Sequence, residues 1–489
     1  MSPKGLLWAD SEGYQRRLEK SSLALIAVQR VLAADGKIAG GVNEFLRLYE
    51  WVAGAAPKHF TQVWSDPSAY FWVRRAMHFL AACRGEPLGT VEREYCEELN
   101  LDSPAQALEY HLHDFKRFVL GLAIVAGSDV AFDELYAAAL PMAIPGTSYV
   151  LCGEGIAYVA GLSRGAVQVR DPHRELSVAN AGDLRDRGPH LERCPFIERD
   201  EVGVYLNPAM FRLPGLGIPR EWSKLPLAFQ VEHAPLVKEA LEAVRKFQPM
   251  TFEHLAAGLH TIALKPHDDT FINVTVSELP GAFVCTVPAD PYVLASSFIH
   301  EFHHNTLFAL EERGPFFASS EEDEIEGENH YSPWVETLRP LHGILHAVYV
   351  FIPVYRFWSA ALRDGSLNES RAGFAREQLA RIPVQLQIGI NQLRRHAKLT
   401  PYGAEIVDTL AAETAEVRDD ARVLGMTPAT PAMGLTRGGE MRPLIRAGRR
   451  MTVGDMLLEH LDTCDTLGEC SAERAELARG ESLTDSCLH

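Results

Sequence analysis

Residues 290–310 read DPYVLASSFIHEFHHNTLFAL, and this stretch decides both the fold class and the chemistry. Asp290 suits a helix N-cap and Pro291 the first helical position, while Gly314-Pro315 supplies a stop. Between them Phe298, Ile299, Phe302, Leu307, Phe308 and Leu310 make a largely apolar helix. His300-Glu301-Phe302-His303-His304 lies inside it, an H-E-x-x-H motif. Residues four apart on a helix sit one turn apart on one face, so His300 and His304 can clasp one metal ion. Glu301 lies about 100° round the helix from His300, close enough to address a bound water or orient a ligand, and is the catalytic candidate. Two histidines and a glutamate in an apolar helix are costly to bury without partners, which favours a metal site over chance. His303 reads as a residue supporting that site or lying at the surface.

A third ligand is expected from a second apolar segment, Tyr331-Ser-Pro-Trp334-Val-Glu-Thr-Leu-Arg339-Pro340-Leu-His342-Gly-Ile-Leu-His346, which continues through Tyr349 to Pro353. Pro340 suits a first helical turn, and the run after it reads as a buried helix. His342 and His346 repeat the four-residue spacing. Arg339 and His346 are seven apart, so on a continuous helix they share a face. A histidine beside an arginine suggests a metal-bound organic acid, because the guanidinium offers a planar fork to carboxylate. Between the two segments, residues 321–328 (EEDEIEGE) carry six acidic side chains, read as a solvated loop or as a lid attracting a basic leader peptide.

The blocks GAFVCTVPADPYVLASSFIHEFHHNTLFAL, YSPW, RPLHGILHAVYVF and RFW, in that order, resemble the HExxH-type proteins of bacterial peptide-modification gene clusters. These are similar to non-haem iron, α-ketoglutarate-dependent peptide β-hydroxylases acting on ribosomally made precursor peptides. The resemblance is good over about 270–360 and thins outward to 225–425. It implies His300, His304 and His346 as metal ligands, Arg339 as the carboxylate anchor, and Tyr331 and Trp334 in the cosubstrate pocket. Fe(II), α-ketoglutarate and O2 are then the cofactor set, and the partner is a precursor peptide. Three protein ligands leave three positions on octahedral iron, two for the keto acid and one for oxygen. Three departures stand out: His303 replaces a usual glutamine, the 321–328 loop is unusually acidic, and Val335 stands where a second arginine commonly follows Pro-Trp. In this reading Glu301 orients a ligand and is not a base.

The rival is a zinc metallopeptidase, with Glu301 activating a zinc-bound water and His342, His346 or Glu336 as third ligand. No HExxHxxGxxH extension supports it, because Asn305-Thr306-Leu307 follows the motif directly. A non-catalytic peptide-binding scaffold is the remaining alternative.

Elsewhere the chain predicts a predominantly helical α+β protein, with the metal site between two buried helices. Residues 1–140 read as a helical N-terminal domain, with Ser21–Ala34 and Ala107–Val125 at helical spacing. Residues 141–224 form a β-rich middle region, where TSYVLCG, GIAYVAG, GAVQVRD and VGVYLN look like strands. Residues 225–425 form the catalytic domain, with helices expected at Pro235–Phe247, Phe252–Ile262, 370–395 and 401–424, and strands at Phe271–Val276 and Ala282–Val287. Residues 426–489 read as a linker and tail, the latter a detachable segment with Cys464, Cys470 and Cys487 or a frayed helical extension.

The chain has 489 residues, 47 Lys plus Arg against 65 Asp plus Glu, and a net charge of −18. Such a balance repels polyphosphate and argues against nucleic-acid binding. No uninterrupted apolar run reaches the ~20 residues of a membrane span, and the first residues do not read as a signal peptide. Eight cysteines without a CxxC pair fit a reducing cytoplasm better than a disulfide framework.

Overall fold

The computed structural model describes residues 11–35, 38–137, 141–152, 157–163, 166–171, 174–180, 191–199, 202–267, 273–318, 330–335, 337–426, 444–446 and 449–451. The acidic stretch 321–328, Glu336, the linker at 427–443 and the cysteine-bearing tail lie outside the described residues. The fold is α+β and mainly helical, with its sheets in the middle of the chain. It divides into two compact units, the first covering Ala9–Ala309 and the second built on Leu310–His489.

The first unit opens with six helices: α1 (Ser11–Ala34), α2 (Val42–Ala53), α3 (Pro57–Trp64), α4 (Pro67–Ala82), α5 (Thr90–Leu99) and α6 (Pro104–Ala126). Their starts follow capping chemistry. Asp66 accepts from the Ser68 amide ahead of Pro67, and Ser103 accepts from the Gln106 amide ahead of Pro104. The core they enclose is aromatic: Trp72 stacks on Phe45 and on His111, and Phe115 meets both Phe45 and Trp72. Gly121 of α6 is required by a close approach, since a Cβ there would lie 2.3 Å from the Pro145 carbonyl oxygen. Arg75, 1% exposed, crosslinks this bundle by pairing with Glu92 and with Glu278.

Strands follow. β1 (Val130–Ala137), β4 (Ala157–Ser163), β5 (Ala166–Asp171) and β6 (Arg174–Asn180) make an antiparallel sheet in the order β1-β4-β5-β6, and β2 (Met142–Ala143), β3 (Tyr149–Leu151) and β7 (Leu191–Arg193) make another. β8 (Phe196–Arg199), β9 (Val202–Leu206), β10 (Thr261–Lys265), β11 (Val274–Thr275) and β12 (Ala282–Thr286) form a five-stranded mixed sheet, order β11-β12-β10-β9-β8. β10 runs parallel to β12 and β9, and β10 and β12 are buried along their whole length. Such apolar, two-sided burial is what a parallel pair demands.

Three further helices belong to this part of the chain: the single turn α7 (Arg220–Ser223), α8 (Leu227–Phe247) and α9 (Pro249–Gly258). The buried Gln230 of α8 clamps β10, donating to the Leu264 carbonyl at 2.8 Å and accepting from its amide at 2.9 Å. The motif helix α10 runs Pro291–Glu311, with the Tyr292 amide bonded to Asp290 as expected of an N-cap. The boundary between the two units falls at its last residues.

The second unit is built on α11 (Leu341–Asp364), α12 (Glu369–His396) and α13 (Pro401–Val423), which pack on one another. One carboxylate ties two of them: Asp420 of α13 accepts from Tyr355, Ser359 and Arg363 of α11. α11 is long and apolar enough to span a membrane by length and composition, yet 83% of its apolar window is buried within the protein, as a core helix requires. A hairpin of β13 (His330–Ser332) and β14 (Thr337–Arg339) precedes it, and β15 (Leu444–Arg446) pairs with β16 (Arg449–Met451).

Candidate metal centre

Little more than one turn of α10 presents the motif. The Nε2 atoms of His300 and His304 lie 3.2 Å apart. Two metal–nitrogen bonds of roughly 2.1 Å spanning that gap subtend roughly 100° at the ion, a bidentate clasp. The His300 side chain is 24% exposed, so an ion can reach it.

Glu301 is buried within the unit, 3% exposed. Its Oε2 accepts from the Thr275 hydroxyl at 2.7 Å, and that hydroxyl also lies 3.1 Å from the Glu301 carbonyl oxygen. Burial pushes the Glu301 carboxyl up to about 8, against the lowering effect of the Thr275 bond. Its other oxygen stays 3.8 Å from His300 Nε2. A second tie holds the same helix to the β11–β12 turn, where Asn305 accepts from the Gly281 amide at 3.0 Å. His303, 3% exposed, bonds through Nδ1 to the Ile299 carbonyl at 2.6 Å. It is therefore an inward-facing structural histidine and not a surface one.

His346 lies in the second unit, on α11, 6% exposed. Its Nε2 is 3.2 Å from Glu311 Oε1, and His342 Nε2 is 2.6 Å from the same oxygen. The three ligand atoms of Glu311, His342 and His346 all lie within 4.8 Å of one another. Burial would raise the Glu311 carboxyl, but hydrogen bonds from both histidines outweigh it and hold it at about 2. The structure groups the expected ligands His300 and His304 with each other, and groups His346 with His342 and with Glu311, which the sequence does not single out. Glu311 was absent from the sequence reading. The sequence offers only a weak signal, an acidic residue closing an apolar helix just before Gly314-Pro315, 31 residues ahead of the histidine pair.

Arg339 requires a correction. It does not lie on the buried helix with His346; it is the exposed last residue of β14, paired with His330. Pro340 is the reason. The ring disfavours helical geometry at the preceding residue, so Arg339 stays extended and Pro340 itself, at φ −62 and ψ 155, is the N-cap of α11. The side chain nevertheless reaches the first turn of α11, its Nε 3.7 Å from where a Cβ on Gly343 would sit. Among the described residues no hydrogen bond or ion pair occupies its guanidinium.

The Tyr331–Trp334 turn is clamped by α12, whose Gln392 donates to the Tyr331 carbonyl at 2.7 Å and Gln385 to that of Pro333 at 2.8 Å. Trp334 stacks on Phe351 of α11 with ring centroids 5.7 Å apart, and its buried Nε1–H finds no acceptor among the described residues. Val335 is 49% exposed, and Tyr349 is wholly buried core.

No protein-family model matches the chain, and no curated protein matches it.

Proposed function

We propose that this protein is an Fe(II)- and α-ketoglutarate-dependent oxygenase that hydroxylates a β-carbon in a ribosomally made precursor peptide, acting in the cytoplasm. The observation that supports it best is the His300–His304 pair, whose Nε2 atoms are 3.2 Å apart on a helix otherwise packed with apolar side chains. The resemblance to the peptide hydroxylases implies His346 as the third ligand. The donor set suits Fe(II): imidazoles bind the borderline first-row ions, and the site offers too few oxygens for Mg²⁺ or Ca²⁺.

The iron, when bound with α-ketoglutarate and O2, supplies the oxidising chemistry. The chain's own residues position and shield. His300 and His304 fix the ion against a rigid helix. Glu301, buried and held by the Thr275 hydroxyl, orients its surroundings in this reading. Arg339 offers the distal carboxylate of the keto acid a guanidinium that no described residue occupies. The Trp334 indole N–H, buried without an acceptor among the described residues, is a donor available to the same ligand. Five free cysteines among the described residues suit a reducing compartment.

The test is anaerobic loading with Fe(II), then succinate release on adding α-ketoglutarate and air, and a gain of one oxygen in a candidate peptide by mass spectrometry. His300→Ala and His304→Ala should each abolish both signals. If these variants keep full metal content and turnover, the site assignment is wrong. Peptide cleavage with zinc instead would establish the peptidase.

A further inference from the structure

We propose that Glu311, His342 and His346 form a transition-metal site of their own, complete within the second unit. Three observations converge. The donor atoms are already gathered, with Glu311 Oε1 at 2.6 Å from His342 Nε2 and 3.2 Å from His346 Nε2. Ligands at right angles on an ion with bonds of roughly 2.1 Å stand roughly 3.0 Å apart, and these two separations bracket that value. The donors also come from firm elements: successive turns of one buried helix supply the imidazoles, and the last residue of α10 supplies the carboxylate. Leu310, Leu341 and Leu345 beside them are all buried.

Access fits as well. The side chains of Glu311 and His342 are each 23% exposed while His346 is 8% exposed, so the group opens to solvent on one side and is anchored on the other. Two imidazoles and one carboxylate occupy one face of an ion and leave positions free. That donor set selects Fe(II), Co(II) or Zn(II) over Mg²⁺ and Ca²⁺, which demand more oxygens. Arg339 lies along the first turn of the same helix, which would place a cation beside an anion-binding group. A plain histidine–carboxylate staple would need only one of the two imidazoles.

This site goes beyond the proposed function but competes with it for His346, which one ion at a time can use. The two assignments therefore predict different losses. The probe is Co(II), titrated into the full-length protein and followed by visible absorption and calorimetry. In a His300→Ala/His304→Ala double variant, one Co(II) per chain should remain. Adding Glu311→Ala or His342→Ala to it should weaken that binding at least about 100-fold, beyond what loss of an outer-shell partner costs. Circular dichroism confirms that each variant folds, and the two added substitutions check each other.

If the folded double variant binds no Co(II), or if Glu311→Ala and His342→Ala both leave its affinity unchanged, the proposal is overturned. Complete cobalt loss in the double variant, with wild-type binding abolished by His346→Ala and spared by Glu311→Ala, overturns it while sustaining the motif-based ligand set. Retained cobalt at the Glu311 group in a protein that makes no succinate supports it while removing the oxygenase reading.

Discussion

His111 gives the sharpest quantitative handle on the first unit. It is 1% exposed at the centre of the aromatic core, its ring stacked on Trp72 at 5.2 Å. Nε2 faces the Trp72 carbonyl at 2.7 Å and so must carry the proton; Nδ1 is left to accept from the Tyr95 hydroxyl at 3.2 Å. Both ring nitrogens are used by the neutral form. Burial lowers its pKa from 6.5 to about 4, with the Trp72 bond and Asp114 pulling the other way and Arg75 and Arg117 reinforcing the drop. The folded pKa is thus depressed. Above 6.5 neither state binds the proton and His111 costs nothing. Between 6.5 and 4 the unfolded chain takes a proton that the folded one refuses, so stability falls as pH falls. At ~1.36 kcal/mol per unit, the full drop is about 3 kcal/mol.

The assay is urea unfolding followed by tryptophan fluorescence at half-unit steps from pH 4 to 7.5, on wild type and His111→Gln. The glutamine keeps a donor for the Trp72 carbonyl but cannot titrate. Wild type should lose about 3 kcal/mol relative to the variant across that window, at up to ~1.4 kcal/mol per unit. Carboxylates such as Glu92, held at about 2 chiefly by its His78 bond and Arg75 against burial, affect both proteins alike and cancel in the difference. Parallel curves from pH 4 to 6.5 would refute the reasoning.

Three other substitutions test the site. Glu301→Gln keeps an acceptor for Thr275 and should change stability by less than about 1 kcal/mol; succinate release should fall only partly, and near-total loss would refute the ligand-orienting role given to Glu301. Arg339→Ala should raise the KM for α-ketoglutarate at least about tenfold with a smaller change in kcat, because a carboxylate clamp acts mainly in binding; an unchanged KM removes Arg339 from the cosubstrate site. Gly389→Ala should destabilise by about 1–3 kcal/mol despite the better helix propensity of alanine, since the new Cβ would sit 2.6 Å from Val348 Cγ2 and 2.8 Å from Trp334 Cη2; a stabilised variant in thermal melts would show that Trp334 is not packed there.

The elements legible in the sequence were those with a clean period or a strong boundary. The expected strands in TSYVLCG, GIAYVAG, GAVQVRD and VGVYLN are β3, β4, β5 and β9, and Asp290-Pro291 starts α10 as capping chemistry requires. Helices expected at 370–395 and 401–424 are Glu369–His396 and Pro401–Val423. Two boundaries failed for identifiable reasons. Pro235 looks like a helix start, yet α8 begins at Leu227 and runs through it. One lost backbone bond is tolerated there because Gln230 on one side of the proline and Val237 and Leu241 on the other are fully buried. The expected helix Phe252–Ile262 stops at Gly258, and Thr261–Lys265 becomes a buried strand. A short apolar run cannot choose between helix and strand by period alone; here the partners β12 and β9 decide.

The site divides along the same line. His300 and His304 were legible because helical spacing is local, and a four-residue separation fixes which face both share. The partner of His342 and His346 was not, because Glu311 stands 31 and 35 residues away in the chain and only tertiary packing brings it to them. Arg339 failed in the opposite sense: its spacing to His346 was right for a helix that Pro340 does not allow to begin so early. Spacing therefore finds ligands within one element and misses the carboxylate that another element contributes. With His346 gripped by Glu311, the metal-binding assignment turns on which partner wins that one imidazole, and His346→Ala alone cannot decide it. Glu311→Ala can, because it removes a ligand under one assignment and spares metal binding under the other.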